Sequence, residues 1–175
     1  DMYLQLLEEA VLEEQGQPPK AAAECAADLT LSAHIPEGYV PAPEQRMDLY
    51  RRIAAIRSTE DAADLTDELL DRYGELPRSV TALLDVALLR AAAGAVGITD
   101  IAQRGDTLRF AFQVMEAESV VKVCTLSKYR QRLRLAAGEN PSLTLTLRQG
   151  ADLLKAALEI VEDLKLSKED RRGKE

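Results

Sequence analysis

STEDAADLTDELLDRYGELP, residues 58–77, reads as one helix with both of its ends marked. Ser58 is a suitable N-cap, and Asp61, three residues on, is the acidic half of a capping box. Gly74 is a natural left-handed residue just past the end, and Pro77 prevents continuation. At about 100° per residue, Glu60, Asp64, Asp67 and Asp71 fall within an arc of about 60°, flanked by Asp61 and Glu68. Ala62, Leu65, Leu69, Leu70 and Tyr73 take the rest of the wheel. The helix has an apolar face to bury and an acidic face to show.

The acidic face carries a cost. Glu60–Asp64, Asp64–Glu68 and Asp67–Asp71 are like-charge pairs one turn apart, each unfavourable by about 0.2–0.5 kcal/mol. Asp67, Glu68 and Asp71 also lie towards the C-terminal end, where the helix dipole disfavours negative charge, and Arg72 offsets only part of this. Two readings stand side by side. One is a solvated face on an acidic protein. The other is a docking surface for a basic partner, whose charge would relieve the repulsion.

The chain has 175 residues, enough for one good core or two small ones. It is 46% hydrophobic and 30% charged, a globular composition. A net charge of −8 argues against a nucleic-acid-binding module, which would show a basic stripe or patch. There is no Trp, and the five Tyr and two Phe are too few for base-stacking platforms. Cys25 and Cys124 stand far apart with no CxxC, which fits reduced thiols of a cytoplasmic protein better than a disulfide framework. No apolar run is long enough to span a membrane. The N-terminus is acidic and amphipathic rather than a leader, and the chain starts inside an apparent helix, so it reads as a piece of something longer.

Taken in order, residues 2–15 read as a helix with Tyr3, Leu6, Leu7, Ala10 and Val11 on one stripe. Residues 20–27 read as linker. Residues 28–35, DLTLSAHI, alternate strictly and predict a half-buried strand. IPEGYVP is a turn around Tyr39 and Val40, and residues 44–56 predict a helix with Met47, Leu49, Tyr50, Ile53 and Ala54 available to the core. Arg46, Arg51, Arg52 and Arg57 give that helix a basic side. Pro77 fits the first position of a further helix, apolar nearly all round from Val80 to Ala91. Residues 98–103 and 107–113 predict strands joined through Gly105-Asp106. A short helix over 117–127, strands over 132–136 and 142–147, and a helix over 149–166 complete the pattern. Strands and helices interleave without a strict βαβ rhythm, which predicts an α+β fold: a small mixed or antiparallel sheet covered by several helices. The expected divisions are residues 1–27 as an N-terminal helix and linker, 28–166 as the domain, and 167–175 as a charged, disordered tail.

Reactive chemistry is sparse. His34 is the single histidine, at a strand end, and reads as a surface or hydrogen-bonding residue. A Cys25–His34 pair carries no family signature, and Cys124 reads as a packed core thiol. There is no zinc cluster, phosphate-cradling glycine loop or EF-hand pattern. Catalytic residues, cofactors and metals are therefore not expected.

HIPEGYVPAPEQRMDLYRRIAAI at 34–56 and DELLDRYGELPRSVTALLDVALLR at 67–90 closely resemble the C-terminal domain of the bacterial transcription-repair coupling factor. The likeness includes the opening YLQLLEEAV and spans most of residues 2–165, resting on pattern more than identity after Gly97. The family often has an aromatic at the place of His34 and Phe at that of Tyr73. The resemblance implies a parent that is an ATP-dependent DNA translocase, which releases stalled RNA polymerase and recruits excision repair. It implies that this domain is not itself an enzyme. Its partner would be an N-terminal module of the parent, similar to part of UvrB, whose UvrA-binding surface it masks as an autoinhibitory lid. UvrA and RNA polymerase would be indirect partners, and neither direct nucleic-acid contact nor a membrane is implied. By resemblance Glu68 and Asp71 match acidic positions that meet basic residues of that module; the wheel adds Asp64 and Asp67 to the partner-binding set. Tyr73 and Leu76 are either adjoining apolar contacts or core. The alternative role is a structural cap needed only for stability of the translocase.

Overall fold

A computed structural model describes residues 25–29 and 31–172. The predicted helix over 2–15 lies outside them. The fold is α+β, with five α-helices and a five-stranded mixed sheet among the described residues. The chain divides into two compact units, one holding described residues 31–91 and the other 25–29 with 92–172.

The first unit is helical. α1 (Pro43–Ala54) buries Leu49, Tyr50 and Ile53, while Met47 and Ala54 are half-buried. α2 (Thr59–Tyr73) buries Ala62, Leu65 and Leu69. α3 (Arg78–Ala95) buries Val80, Leu83, Leu84, Val86, Ala87 and Leu89, and its last turn belongs to the second unit. Pro77 precedes α3 rather than opening it; its carbonyl accepts from Val80 N–H (3.0 Å) and Thr81 N–H (3.1 Å). Pro36 closes the IPEGYVP turn by accepting from the N–H groups of Tyr39 (3.0 Å) and Val40 (3.1 Å), and Val40 is fully buried. The Arg46 guanidinium holds the turn's exit, donating to the Val40 and Pro41 carbonyls, both at 2.9 Å.

Past Asp28, the described residues of the stretch expected as a strand over 28–35 form no strand. Its alternation does bury Leu29, Ala33 and Ile35, but its backbone donors find helices instead of a ladder. His34 N–H donates to the Ser79 carbonyl at 3.2 Å, and Ile35 N–H to the Tyr50 hydroxyl at 2.9 Å. Period-two patterning reports which side is buried and is silent on what the backbone pairs with.

The strand lies earlier, at β1 (Ala26–Asp28), with two of its residues in the stretch read as linker and Asp28 the first residue of the expected strand. It runs parallel to β2 (Ile98–Arg104), which forms a hairpin through Gly105 (φ 58°) with β3 (Thr107–Phe112). β4 (Leu133–Ala136) and β5 (Ser142–Thr146) form the second antiparallel pair, and the spatial order is β1-β2-β3-β5-β4. The buried apolar residues of this unit come mainly from one sheet face, chiefly Ile101, Leu108, Phe110, Leu143 and Leu145, and from the helices over 117–124 and 153–172. α4 (Ala117–Cys124) is shorter than expected and gives way to a 3-10 turn over Ser127–Tyr129. α5 (Leu153–Arg172) continues past Leu166 into the charged segment. The reason is that this segment has partners on α4 and just before it. Ser167, buried, donates to the Ser119 carbonyl at 3.1 Å, Asp170 pairs with Lys122, and Lys168 reaches Glu116 at 3.7 Å.

Candidate functional site

The ends of α2 form as their residue types dictate. Ser58 Oγ accepts from Asp61 N–H at 3.1 Å. The Asp61 carboxylate reaches back to Arg57 N–H at 3.0 Å, one residue outside the cap. Gly74 ends the helix at φ 86°, ψ −162°, a region essentially reserved for glycine and distinct from the left-handed helical conformation expected there. Its carbonyl accepts from the Tyr39 hydroxyl at 2.9 Å, which ties the IPEGYVP turn to the end of α2.

With both ends held, the rotation of the helix is set, and Asp64, Asp67 and Asp71 stand exposed in one row with Glu60. Glu68 is half-buried at the edge of the row, and its carboxylate is paired with the Arg52 guanidinium of α1. The four candidate residues therefore share one helix face but not one electrostatic state. Asp64, Asp67 and Asp71 have no cationic partner among the described residues; Glu68 has one.

The other basic groups near the row are engaged. Arg46 also approaches Glu37 at 3.9 Å. Arg57 donates to the Ala54 and Ile56 carbonyls at 2.9 and 3.0 Å, capping the end of α1. Arg72 lies over the Tyr73 ring, 5.2 Å from its centroid. Tyr73 packs tilted against Tyr39, with ring centroids 5.7 Å apart, and donates its hydroxyl to Gln45 Oε1 at 3.0 Å. Tyr73 and Leu76 are both half-buried. Burial and the neighbouring Tyr73 push the Tyr39 phenol up from its ordinary value.

The helical wheel places Leu70 with the apolar face, and the structure corrects this: it is 46% exposed, beside exposed Ala63 and about 60° around the helix from Asp67. Adjacent leucines point about 100° apart, so Leu69 and Leu70 cannot both face a narrow core stripe. That signal was available in the sequence. The Arg52–Glu68 pair was not, because it depends on how α1 and α2 cross.

Elsewhere, Ser32 Oγ lies 3.3 Å from His34 Nδ1. Cys25 is buried, with Sγ 3.6 Å from the Ala26 carbonyl, and burial raises the pKa of the half-buried Cys124 thiol. Among the described residues no group of three or more His, Cys, Asp or Glu could hold a metal ion, and no helix is long and apolar enough to cross a membrane.

The comparisons with known proteins agree with this architecture. The chain is 34% identical over 172 residues to a transcription-repair-coupling factor of Myxococcus xanthus, covering 94% of the chain and 14% of that protein. It is 30% identical over 171 residues to that of Staphylococcus aureus strain USA300, covering 93% of the chain and 15% of that protein. It thus spans about a seventh of these relatives' length. A crystal structure of the C-terminal domain of transcription-repair coupling factor shares the fold, with a TM-score of 0.75 at 20% identity, covering 85% of this chain and 96% of that one. The sequence model of the TRCF domain matches residues 29–123, more than half of the chain, which belongs to the TRCF domain family.

Proposed function

We propose that this domain is a non-catalytic, autoinhibitory lid within a cytoplasmic transcription-repair coupling factor. In this reading the exposed row on α2 docks against basic residues of a UvrB-like N-terminal module of the parent and masks the surface that binds UvrA. The observation that carries it is the row itself: Asp64, Asp67 and Asp71 repel one another in solvent without a cation among the described residues to offset them. Glu68 serves differently from its neighbours. Arg52 already holds it, so it contributes to docking through the pair rather than as a spare charge. Exposed Leu70 supplies an apolar contact at the border of the row. The parent is read as a DNA translocase that releases stalled RNA polymerase and recruits excision repair.

The test is made in the parent protein. Asp67→Arg combined with Asp71→Arg is expected to raise its affinity for UvrA while leaving the circular dichroism of the 175-residue chain unchanged. These positions are cleaner than Glu68, whose reversal would also set two arginines against each other. If UvrA affinity stays the same and only the parent's melting temperature falls, the domain is a structural cap and the lid reading fails.

A further inference from the structure

We infer that the open face of the five-stranded sheet docks an acidic α-helix of a partner protein. This rests on residues remote in sequence from the α2 row and does not depend on the lid reading. Sheet register defines the face. Ala102 of β2 pairs with Arg109 of β3, Arg109 with Thr144 of β5, and Thr144 with Arg134 of β4, so these side chains share one side. Arg104 is two residues from Ala102 on the same strand and therefore on the same side. The opposite side holds the buried Leu108, Phe110, Leu143 and Leu145. Arg104, Arg109 and Arg134 are exposed and have no carboxylate partner among the described residues. Arg132 is excluded from the group, since its guanidinium donates to the Thr146 and Lys128 carbonyls at 3.0 and 2.8 Å.

Charge is partly segregated on this face, Arg104 alone of the three arginines sharing a strand with an acid. Its carboxylates, Asp28 and Asp100, lie on β1 and β2. The β3–β5–β4 side carries Arg109 and Arg134 and no acid, on a chain with net charge −8. Arg104 and Arg109 are diagonal neighbours about 7–8 Å apart, and Arg109 and Arg134 are two strand spacings, about 10 Å, apart. Between them the floor is low and smooth, made of Ala102, Ala111, Thr144 and Thr146.

A helix laid on such a floor presents carboxylates at i and i+7 about 10.5 Å apart, which matches the longer arginine separation. A guanidinium fork suits a carboxylate geometrically. Nucleic acid fits worse. The face has no aromatic ring on which a base could stack, and the chain's net negative charge opposes a phosphate backbone at long range.

The experiment is an NMR titration of the 175-residue chain with a helical peptide of about 18 residues carrying glutamates along one face at spacings of four and three. The same peptide with glutamine in place of glutamate, and a DNA duplex, serve as comparison probes. The expected result is amide shifts centred on Arg104, Arg109, Arg134 and Thr144 for the glutamate peptide alone, with binding weakened when salt is raised to about 0.3 M. Arg104→Ser, Arg109→Ser and Arg134→Ser together should weaken binding at least about tenfold with the rest of the spectrum unchanged. Should that triple variant unfold, Arg109→Ser and Arg134→Ser singly carry the same comparison through a several-fold loss each. Absence of shifts, equal binding of the glutamine peptide, unchanged affinity of the variants, or duplex binding at these arginines would each overturn the inference. So would sedimentation showing that the face is occupied by a second copy of the chain, released by the same substitutions.

Discussion

Arg52 reaches from α1 to Glu68, and that one contact decides how much of the acidic row is left over. Its two side chains are 41% and 39% exposed, so the pair contributes about 0.2–1 kcal/mol, comparable with the repulsion of about 0.2–0.5 kcal/mol per like-charge neighbour. Arg52→Gln should therefore shift the free energy of urea unfolding by less than about 1 kcal/mol. A larger loss would mean that the pair positions α2 rather than decorating it. Tyr129 is the contrasting case. It is 3% exposed and donates its hydroxyl to Asp163, which Lys128 also meets at 2.8 Å. Burial first, and then the hydrogen bond and charge of Asp163, keep its phenol protonated far above the ordinary range. Tyr129→Phe removes a charge-assisted bond and should cost about 1.5–3 kcal/mol near neutral pH, read by denaturant unfolding. The pH dependence has a definite sign. An unfolded tyrosine releases its proton near pH 10, roughly, while the folded one retains it, so this stabilisation is complete below that pH and declines as pH rises through it. The variant should show a shallower alkaline decline. Part of the slope remains, because the Lys128 pKa is raised too, first by its hydrogen bond to Asp163. These partners are 16 and 34 positions apart, beyond the reach of any local pattern.

α2 was readable from its ends because capping is local. Ser58, Asp61 and Gly74 each act on backbone groups within four positions. Glycines separate further once their surroundings are known. Gly97 has φ 86°, and a Cβ there would lie 2.6 Å from the Val114 carbonyl oxygen; nothing lies within 4 Å of one built on Gly74. Gly74→Ala should cost about 1–3 kcal/mol from backbone strain alone. Gly97→Ala adds a collision with backbone that cannot swing aside, and should lower the melting temperature more than Gly74→Ala does. Equal shifts would contradict the close approach of residue 114 to the turn before β2. The failure of the described residues of 29–35 to join the sheet and the continuation of α5 past Leu166 have a common cause. Whether an alternating segment joins a ladder, or a charged segment stays helical, depends on groups elsewhere that accept its hydrogen bonds and ion pairs, here Ser79 and Tyr50 in one case and α4 in the other.

For the whole parent protein, the proposed docking through the α2 row would carry an electrostatic signature. The difference in UvrA affinity between the full-length and domain-deleted proteins should narrow as ionic strength rises from about 0.05 to 0.3 M, because exposed charges are screened over a shorter distance. A difference indifferent to salt would point to an apolar seam, with Leu70 rather than the aspartates at its centre. The sequence by itself determined the α+β class, the ends of α2, the inward residues of most elements, the β2–β3 and β4–β5 strand pairs and the family resemblance. All of these depend on propensity, periodicity and motif within short windows. Only the tertiary structure decided that β1 pairs in parallel with β2, that Arg52 takes Glu68 out of the row, and that three arginines collect on one sheet face. Each of these joins segments distant in sequence or sets the side an element shows to water, and packing and register choose among partners that local chemistry leaves equivalent.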